Sequence, residues 1–527
     1  MSGSLRHILS IDLGTSGPKA ALVAETGAIL ATAHASVPTI LLPEDGAEQD
    51  PREVWRAVCS ACTSVLQAAH VPPAAIVGII CSSQYASVVP VDRSGEPVSN
   101  MVVWLDRRGA PKAMERYRAR GYRPDSYYRK WRWLRIHGLL PLDSGQDGLA
   151  HIRWLQYARP EICEKTAYFL EPVDYLTMRF SGRATANHCT AFLTLLTDNR
   201  TQNQTAWHPA LMRYAGIDAA KLPELISDRS IVGPVLPEVA RELGLALGTP
   251  VITGVNDTQA AALACHAFQG AHAAIGVGTS SVMVTHVSFK KTDPFHSMYS
   301  MPSPVPGVRF AVAENGVAGK ALEHFLERLV FAQDRFGNHA AEERFQLLDA
   351  AVGSVAPGSN GVIFLPWVDG AMAPVSDAHM RGGFLNISLQ TSREDLARAV
   401  LEGVALSFRW LRDSTEHFAR RPVSHYLYYG GGAMSDVWSQ INADVLGAPV
   451  HQMKNPRYIN CLGTALLAFE RLGAIRFSDF PRLAPVRRIC EPRAEHHARY
   501  EALFVQFKRI FKKNRGIFRD LNAIKRG

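Results

Sequence analysis

The chain begins its ordered pattern with an apolar run, Ile8-Leu9-Ser10-Ile11, that meets Asp12 and a turn, Gly14-Thr15-Ser16-Gly17. Lys19 follows, and the chain is apolar again through Ala20-Ala21-Leu22-Val23. Two apolar runs around a glycine-bracketed turn predict a β-hairpin. Periodicity then predicts a helix over 51–70 and a strand over 75–81. A second hairpin is expected from 86–90 and 101–104, turning at Asp92-Arg93-Ser94-Gly95. Helices are expected at 148–158 and 173–181, then a strand at 251–253 and a small-residue helix from Thr258 to about Ala267.

The second half repeats this order. Strands flank Gly278, and helices are expected at 318–330 and 339–352. A Pro/Gly-rich stretch, 358–374, reads as surface chain. Helix 392–414, strand 425–429, helix 435–446 and a last helix at 461–472 complete the expected elements. The small-residue stretch 266–274 is the expected boundary, giving domains 1–269 and 270–527.

The turns carry the candidate chemistry. Glycines at 14 and 17 let backbone N–H groups approach an anion, and Thr15 and Ser16 add donors. Asp12 at the strand end suits Mg²⁺, held largely through water. A similar turn recurs at Gly276-Val277-Gly278-Thr279-Ser280. Neither is a Walker A loop. Two such hairpins half a chain apart suggest a duplicated fold closing on a nucleotide. Asp257 follows a strand in Gly254-Val255-Asn256-Asp257. It reads either as a helix N-cap or as the carboxylate that accepts a hydroxyl proton during phosphoryl transfer. Gly430-Gly431-Gly432-Ala433-Met434-Ser435-Asp436 reads as a strand-to-helix turn open to a flat or anionic ligand, with Asp436 placed for a base or ribose edge.

Composition narrows the class. At 527 residues, 47% apolar and 20% charged, the chain is expected to be a globular protein of two or more domains. No run of ~18 apolar residues predicts a membrane span. The short lead into the first strand leaves no room for a signal peptide. Eight scattered cysteines predict core packing in a reducing cytoplasm, Cys59 and Cys62 included. The net charge of +9 is uneven. Residues 107–135 carry +9 and 507–527 carry +7, leaving a body of −7. The first basic segment interleaves aromatics, Tyr127-Tyr128-Arg129-Lys130-Trp131-Arg132-Trp133. It reads as Arg stems laid over rings, or as an anionic-surface binder.

Together these motifs resemble the FGGY family of carbohydrate kinases, across islands from Ile8 to about Leu472. Supporting islands are Leu401-Glu402-Gly403-Val404-Ala405, His151-Ile152-Arg153-Trp154-Leu155, Asp174-Tyr175-Leu176 with Phe180-Ser181-Gly182, and Phe364-Leu365-Pro366. The resemblance implies an α/β fold of two actin-like (ribonuclease H-like) ATPase domains around a central cleft. It implies ATP and Mg²⁺, with Asp257 as base and Asp12 near the metal. Gly14, Thr15, Ser16, Lys19, Gly278, Thr279, Gly319, Gly431, Gly432 and Asp436 would line the nucleotide. Gly316 competes with Gly319 for its place. Gln84, Trp104, Asp106 and Asn256 would meet the substrate. Trp104-Leu105-Asp106-Arg107-Arg108 is similar to the xylulose-kinase Trp-Asn-Asp-x-Arg. The loop Ser83-Gln84-Tyr85-Ala86-Ser87 has Ala86 where those kinases carry an imidazole and glycerol kinases an acid. Gly370-Ala371-Met372 stands where the family has Gly-Glu-Arg.

The expected activity is ATP-dependent phosphorylation of a sugar or polyol, xylulose-kinase-like. The runner-up is a glycerol kinase or another FGGY pentulose or polyol kinase. The non-enzyme alternative is a catalytically silent actin-like ATP-binding protein. A small-molecule sugar or polyol is the expected partner, with homodimer formation open and no nucleic acid expected.

Overall fold

Two sheets built on one plan organise the molecule. The computed structural model describes residues 5–278, 280–326, 333–334, 337–338 and 344–524. Thr279 and the expected helical stretches 327–330 and 339–343 lie outside the described residues. In the first sheet Pro250–Asn256, Ile76–Ser83 and His7–Gly14 run parallel. The hairpin then adds Gly17–Ala24 and Ile29–His34 antiparallel. Ile231–Pro234 closes the far edge. In the second sheet Val450–Met453, Tyr426–Gly430 and Ala273–Val277 run parallel. Ser280–Val287 and Arg309–Val317 again extend them antiparallel. The first strands are continuous apolar runs because helices cover both faces.

Helix Pro51–Ala69 starts where Asp50 accepts the Arg52 N–H at 2.9 Å, with proline at its first position. Helices Gly148–Ala158, Pro172–Ser181 and Asp436–Leu446 lie close to their expected spans. The expected hairpin around 92–95 is only bridged, at Val88–Val102 and Val91–Pro97. Val89–Val91 pairs instead with Tyr168–Leu170.

Two expectations change. The stretch 358–374 is not surface chain: it contains the buried strand Ile363–Leu365, and Trp367 is 4% exposed. The chain also does not end its helices at 472. Ala494–Ile524 is a helix of 31 residues. Its Tyr500, Phe504, Phe507 and Phe511 are buried, and Phe507 and Phe511 each lie 4.8 Å from the Trp367 ring.

Helix Ile459–Arg471 belongs to the second half in sequence yet packs on the first sheet and on helix Asp257–Ala264. At their crossing a Cβ on Gly463 would stand 1.9 Å from the Ala260 carbonyl oxygen, so the contact needs glycine. One core cluster therefore draws residues from both halves. The basic segment lays Arg108 over Trp154 at 3.8 Å and Arg129 over Tyr214 at 5.7 Å, while Tyr127, Tyr128 and Trp131 stay exposed. Among the described residues no helix is long and apolar enough to cross a membrane. All eight cysteines are free, and burial pushes the Cys59 thiol up to about 12.

Candidate active site

The cleft site begins at the carboxyl ends of the parallel strands, where open α/β sheets bind ligands. Asp12 ends its apolar run opposite Lys19 in the hairpin register. It is 1% exposed, and its Oδ1 accepts the Ser82 hydroxyl at 2.9 Å. Its Oδ2 accepts from Lys19 Nζ at 3.4 Å and from Asn460 Nδ2 at 3.2 Å. The Asp12 charge is the chief cause that raises the Lys19 pKa.

Asp257 is the first residue of helix Asp257–Ala264, directly after strand Pro250–Asn256. Its Oδ1 accepts the Thr258 N–H at 2.6 Å. Burial first, then the neighbouring Asp12 charge, raise its pKa from 3.8 to about 7, with Glu314 adding to the rise. A carboxyl so placed has a proton affinity matched to neutral pH, where its ionised form is a stronger base for an alcohol proton than an ordinary aspartate. Asn256 is fully buried, and its Nδ2 donates to the Cys189 carbonyl at 2.9 Å.

The first turn and the substrate loop are one network. Thr15 Oγ1 donates to Gln84 Oε1 at 2.7 Å and accepts from Trp104 Nε1 at 2.9 Å. Gln49 Nε2 donates to the Thr15 carbonyl at 2.8 Å. Gly14 is partly exposed and Ser16 exposed, so the turn faces outward. Gly17 has φ +128°, and a Cβ there would stand 2.1 Å from the Ala35 carbonyl oxygen.

The second turn meets the glycine run. Val277 pairs with Gly430 in the parallel register, and Gly278 is exposed. The Gly319 N–H donates to the Gly278 carbonyl at 2.9 Å, fixing the start of helix Gly319–Phe325 to that turn. A Cβ on Gly430 would stand 2.5 Å from the Val277 carbonyl oxygen, so the two segments touch backbone to backbone there; a Cβ on Gly432 would meet the Val277 side chain at 2.8 Å, and Gly431 is exposed beside them. Asp436 lies at the rim. It pairs with Arg487 and, at 3.1 Å, with Arg488, and accepts from Gln452 Nε2 at 3.1 Å.

Asp106 has a different setting from the other acids. It is fully buried, and Oδ1 accepts the Arg108 N–H at 2.9 Å. Oδ2 accepts the Ala47 N–H and the Arg108 guanidinium, both at 2.8 Å. Arg108 also reaches Glu48 at 2.7 Å. Glu402, from a family-like island, is likewise enclosed: it binds Arg398, Ser359 and Tyr500 within 2.8 Å.

Four groups at the site escaped the sequence reading: Tyr85, Glu314, Tyr299 and Asn460. Tyr85 donates its hydroxyl to Glu314 Oε1 at 2.7 Å, joining the first lobe to the second. Tyr299 acts on the same carboxyl, lowering its proton affinity. Asn460 reaches Asp12 from the late helix. A lone acid inside the apolar run Phe310-Ala311-Val312-Ala313-Glu314 was the one available signal for Glu314. Among the described residues no cluster of three or more His, Cys, Asp or Glu could hold a metal by itself. The oxygen chemistry of Asp12 therefore fits a cation that takes one carboxylate and draws its other ligands from phosphates and water.

Comparison with known proteins agrees with this geometry. The N-terminal domain of the FGGY family of carbohydrate kinases matches residues 7–264, and its C-terminal domain matches 273–470. A xylulose kinase of Staphylococcus epidermidis is 27% identical over 522 residues, covering 98% of this chain and 99% of that protein. An autoinducer-2 kinase of Yersinia enterocolitica is 25% identical over 516 residues, covering 96% and 94%. The crystal structure of a gluconate kinase from Lactobacillus acidophilus superposes with TM-score 0.83 at 23% identity, covering 98% and 100%. The fold is thus the expected α/β pair of actin-like (ribonuclease H-like) domains around a cleft. Both family domains are matched along most of the chain: it belongs to the FGGY family of carbohydrate kinases, enzymes that use ATP to phosphorylate small sugars.

Proposed function

We propose that this kinase phosphorylates a hydroxyl of a sugar or polyol in the manner of the xylulose kinases, with Asp257 as general base. The observation that carries the reading is the Asp257 carboxyl, set at a helix start beside Asp12 with its pKa raised to about 7. The substrate hydroxyl loses its proton to Asp257 as its oxygen attacks the γ-phosphorus, and ADP leaves. Backbone N–H groups of the turns at 14–17 and around 278 hold the phosphates. Thr279 shares that assignment from its place in the second turn. Lys19 offsets negative charge between Asp12 and the incoming phosphate. When bound, Mg²⁺ at Asp12 supplies further charge neutralisation on the phosphates. Gly319, Gly431 and Gly432 line the adenosine side, where Asp436 is held at the rim by Arg487 and Arg488.

On the acceptor side, Gln84 and Trp104 meet the sugar through the Thr15 network. Asn256 anchors the base by its bond to the Cys189 carbonyl. Asp106 acts by positioning: bound to Arg108 and Ala47, it fixes the loop that presents Trp104. The test couples ADP release to a panel of ketoses, aldoses and polyols. Phosphorylation of at least one supports the reading. Nucleotide binding with no turnover on any of them would favour the silent alternative.

A further inference from the structure

Asp106 is committed to Arg108 and backbone, so the acceptor's hydroxyls need another carboxylate. The cleft contains one. Glu314 lies in strand Arg309–Val317 of the second lobe. Tyr85 reaches it at 2.7 Å from the loop after strand Ile76–Ser83 of the first lobe. Tyr299, on the adjacent strand Met298–Met301, lies near enough to lower its proton affinity. Tyr85, Tyr299 and Glu314 all act electrostatically on Asp257. Ser83, two residues before Tyr85, pairs in parallel register with Asn256, the residue before Asp257, so Tyr85 brings Glu314 to the end of the sheet that carries the base.

Two features separate this carboxyl from an ordinary structural acid. Burial and two phenol hydroxyls set its proton affinity, with no cation among those causes. Glu402 and Asp106, by contrast, each carry an arginine. Second, its first-lobe partner is Tyr85, the neighbour of Gln84 and of Ala86, in the loop that lacks an acid or imidazole. Glu314 stands across the cleft from that gap.

We propose that Glu314 is a specificity-determining residue that accepts a hydroxyl hydrogen bond from a neutral polyhydroxy acceptor, with Tyr85 holding its carboxylate in place. The inference rests on the kinase reading above and names its substrate class. On binding, the substrate O–H takes a lone pair of Glu314 beside, or in exchange for, the Tyr85 O–H. Asp12, Asp257 and Glu314 put three carboxyls around the acceptor, and Lys19 is already paired with Asp12 at 3.4 Å. An acceptor bearing its own carboxylate would add like charge to this set, which disfavours it. Open-chain ketoses and polyols fit. A sugar acid such as gluconate does not.

The test measures initial rates with D-xylulose, D-ribulose, xylitol, glycerol and gluconate, and calorimetric binding of the best neutral acceptor. Glu314→Gln should raise KM and Kd for that acceptor by about tenfold or more, the scale of one lost buried acceptor. KM for ATP should hardly change. Tyr85→Phe should shift KM in the same direction by less. The double variant should fall short of the product of the two effects, because both act on one contact. Gluconate should be phosphorylated poorly by the unaltered protein. Unchanged sugar KM and Kd in Glu314→Gln, with only a lower Tm, would reduce the trio to a strut between the lobes. Gluconate used as well as the best neutral acceptor would overturn the substrate class. An unaltered protein inactive on every acceptor would overturn the kinase reading, and this inference with it. An active protein with an indifferent Glu314→Gln would overturn this inference alone.

Discussion

Three aspartates meet three different surroundings. Asp106 has an arginine and two backbone N–H groups, Asp12 has a lysine, and Asp257 has one N–H donor and another carboxylate nearby. Their positions were legible because each closes a strand or follows a Trp in the sequence. Arg108 is a sequence neighbour of Asp106, whereas Asn460 beside Asp12 and Glu314 near Asp257 were hidden, because they come from elements that only folding brings close. The differences predict opposite stability effects. Removing Asp106 leaves the buried Arg108 with Glu48 alone and the Ala47 N–H without its acceptor, so Asp106→Ala should cost about 1–3 kcal/mol of stability, the scale for unsatisfied buried donors. The surviving folded enzyme should keep most of its sugar KM. Melting curves and sugar kinetics together check this, and a sugar KM raised with Tm intact would return Asp106 to the substrate. Asp257→Asn should behave in reverse. Its folded pKa of about 7 lies above the unfolded 3.8, so its ionisation destabilises the fold as pH rises through that interval. Asparagine removes that charge. At pH about 8 the variant should therefore melt higher while losing roughly 10²–10⁴ in turnover. Near-normal turnover would leave Asp257 as an acid of the helix's first turn, after the Asn256 cap, and no base.

At the level of elements, the two largest misreadings are one misreading. The stretch 358–374 looked exposed because nothing later in the chain was expected to cover it. The cover is helix Ala494–Ile524, whose sequence drew notice for its cations. Yet Tyr500, Phe504, Phe507 and Phe511 recur at helical spacing, and all four are buried. Charge counting hid them, since Lys and Arg fill the outer face of the same helix. Trp410 joins the cluster, 5.1 Å from Phe511. Tyr500 also donates to Glu402 at 2.7 Å, so the helix fastens the middle of helix Arg393–Ala419. Phe507→Ala should cost about 3–5 kcal/mol, as for other fully buried phenylalanines. Urea denaturation followed by tryptophan fluorescence checks this, since Trp367 and Trp410 report on that cluster. A midpoint unchanged by Phe507→Ala would show the helix to be dispensable packing.

The molecule as a whole repeats one sheet plan, and two glycine-rich hairpins were enough to expose the repetition in the sequence. Less visible was the way the halves interlock, since helix Ile459–Arg471 returns to the first sheet and the linking segment is packed rather than free. That segment, between helix Asp257–Ala264 and strand Ala273–Val277, carries His266 and His272, whose rings lie 4.9 Å apart. His272 stacks on His425 at 4.7 Å, and His425 on His451 at 4.4 Å. Burial, and then neighbouring imidazoles, hold His266, His272 and His425 down to about 4. Glu491 works in the opposite sense on His451, and Arg421 stands 3.1 Å from the nearby His286. The sign follows from proton counting. Between pH 6.5 and about 4 the unfolded chain binds protons that the folded ladder refuses, so stability falls as pH falls through that window. The buried His137, His151 and His188 act in the same sense. Asp147, raised to about 6, and Asp257 oppose them, because protonation favours their folded forms. Glu171, Asp174, Asp228, Glu314 and Asp349, each raised by burial, oppose them too, so the ladder's share of the acid response is read as the difference between the protein and a ladder variant. Two rings of the ladder lie in the link between the lobes, so the junction should loosen first. His425→Gln removes the middle ring and its positive charge on protonation, easing the titration of both neighbours. In a plot of Tm against pH it should therefore lose less between pH 6.5 and about 4 than the unaltered protein does. An equal slope in the two proteins would show that the ladder does not govern the acid response and that the separately buried groups do.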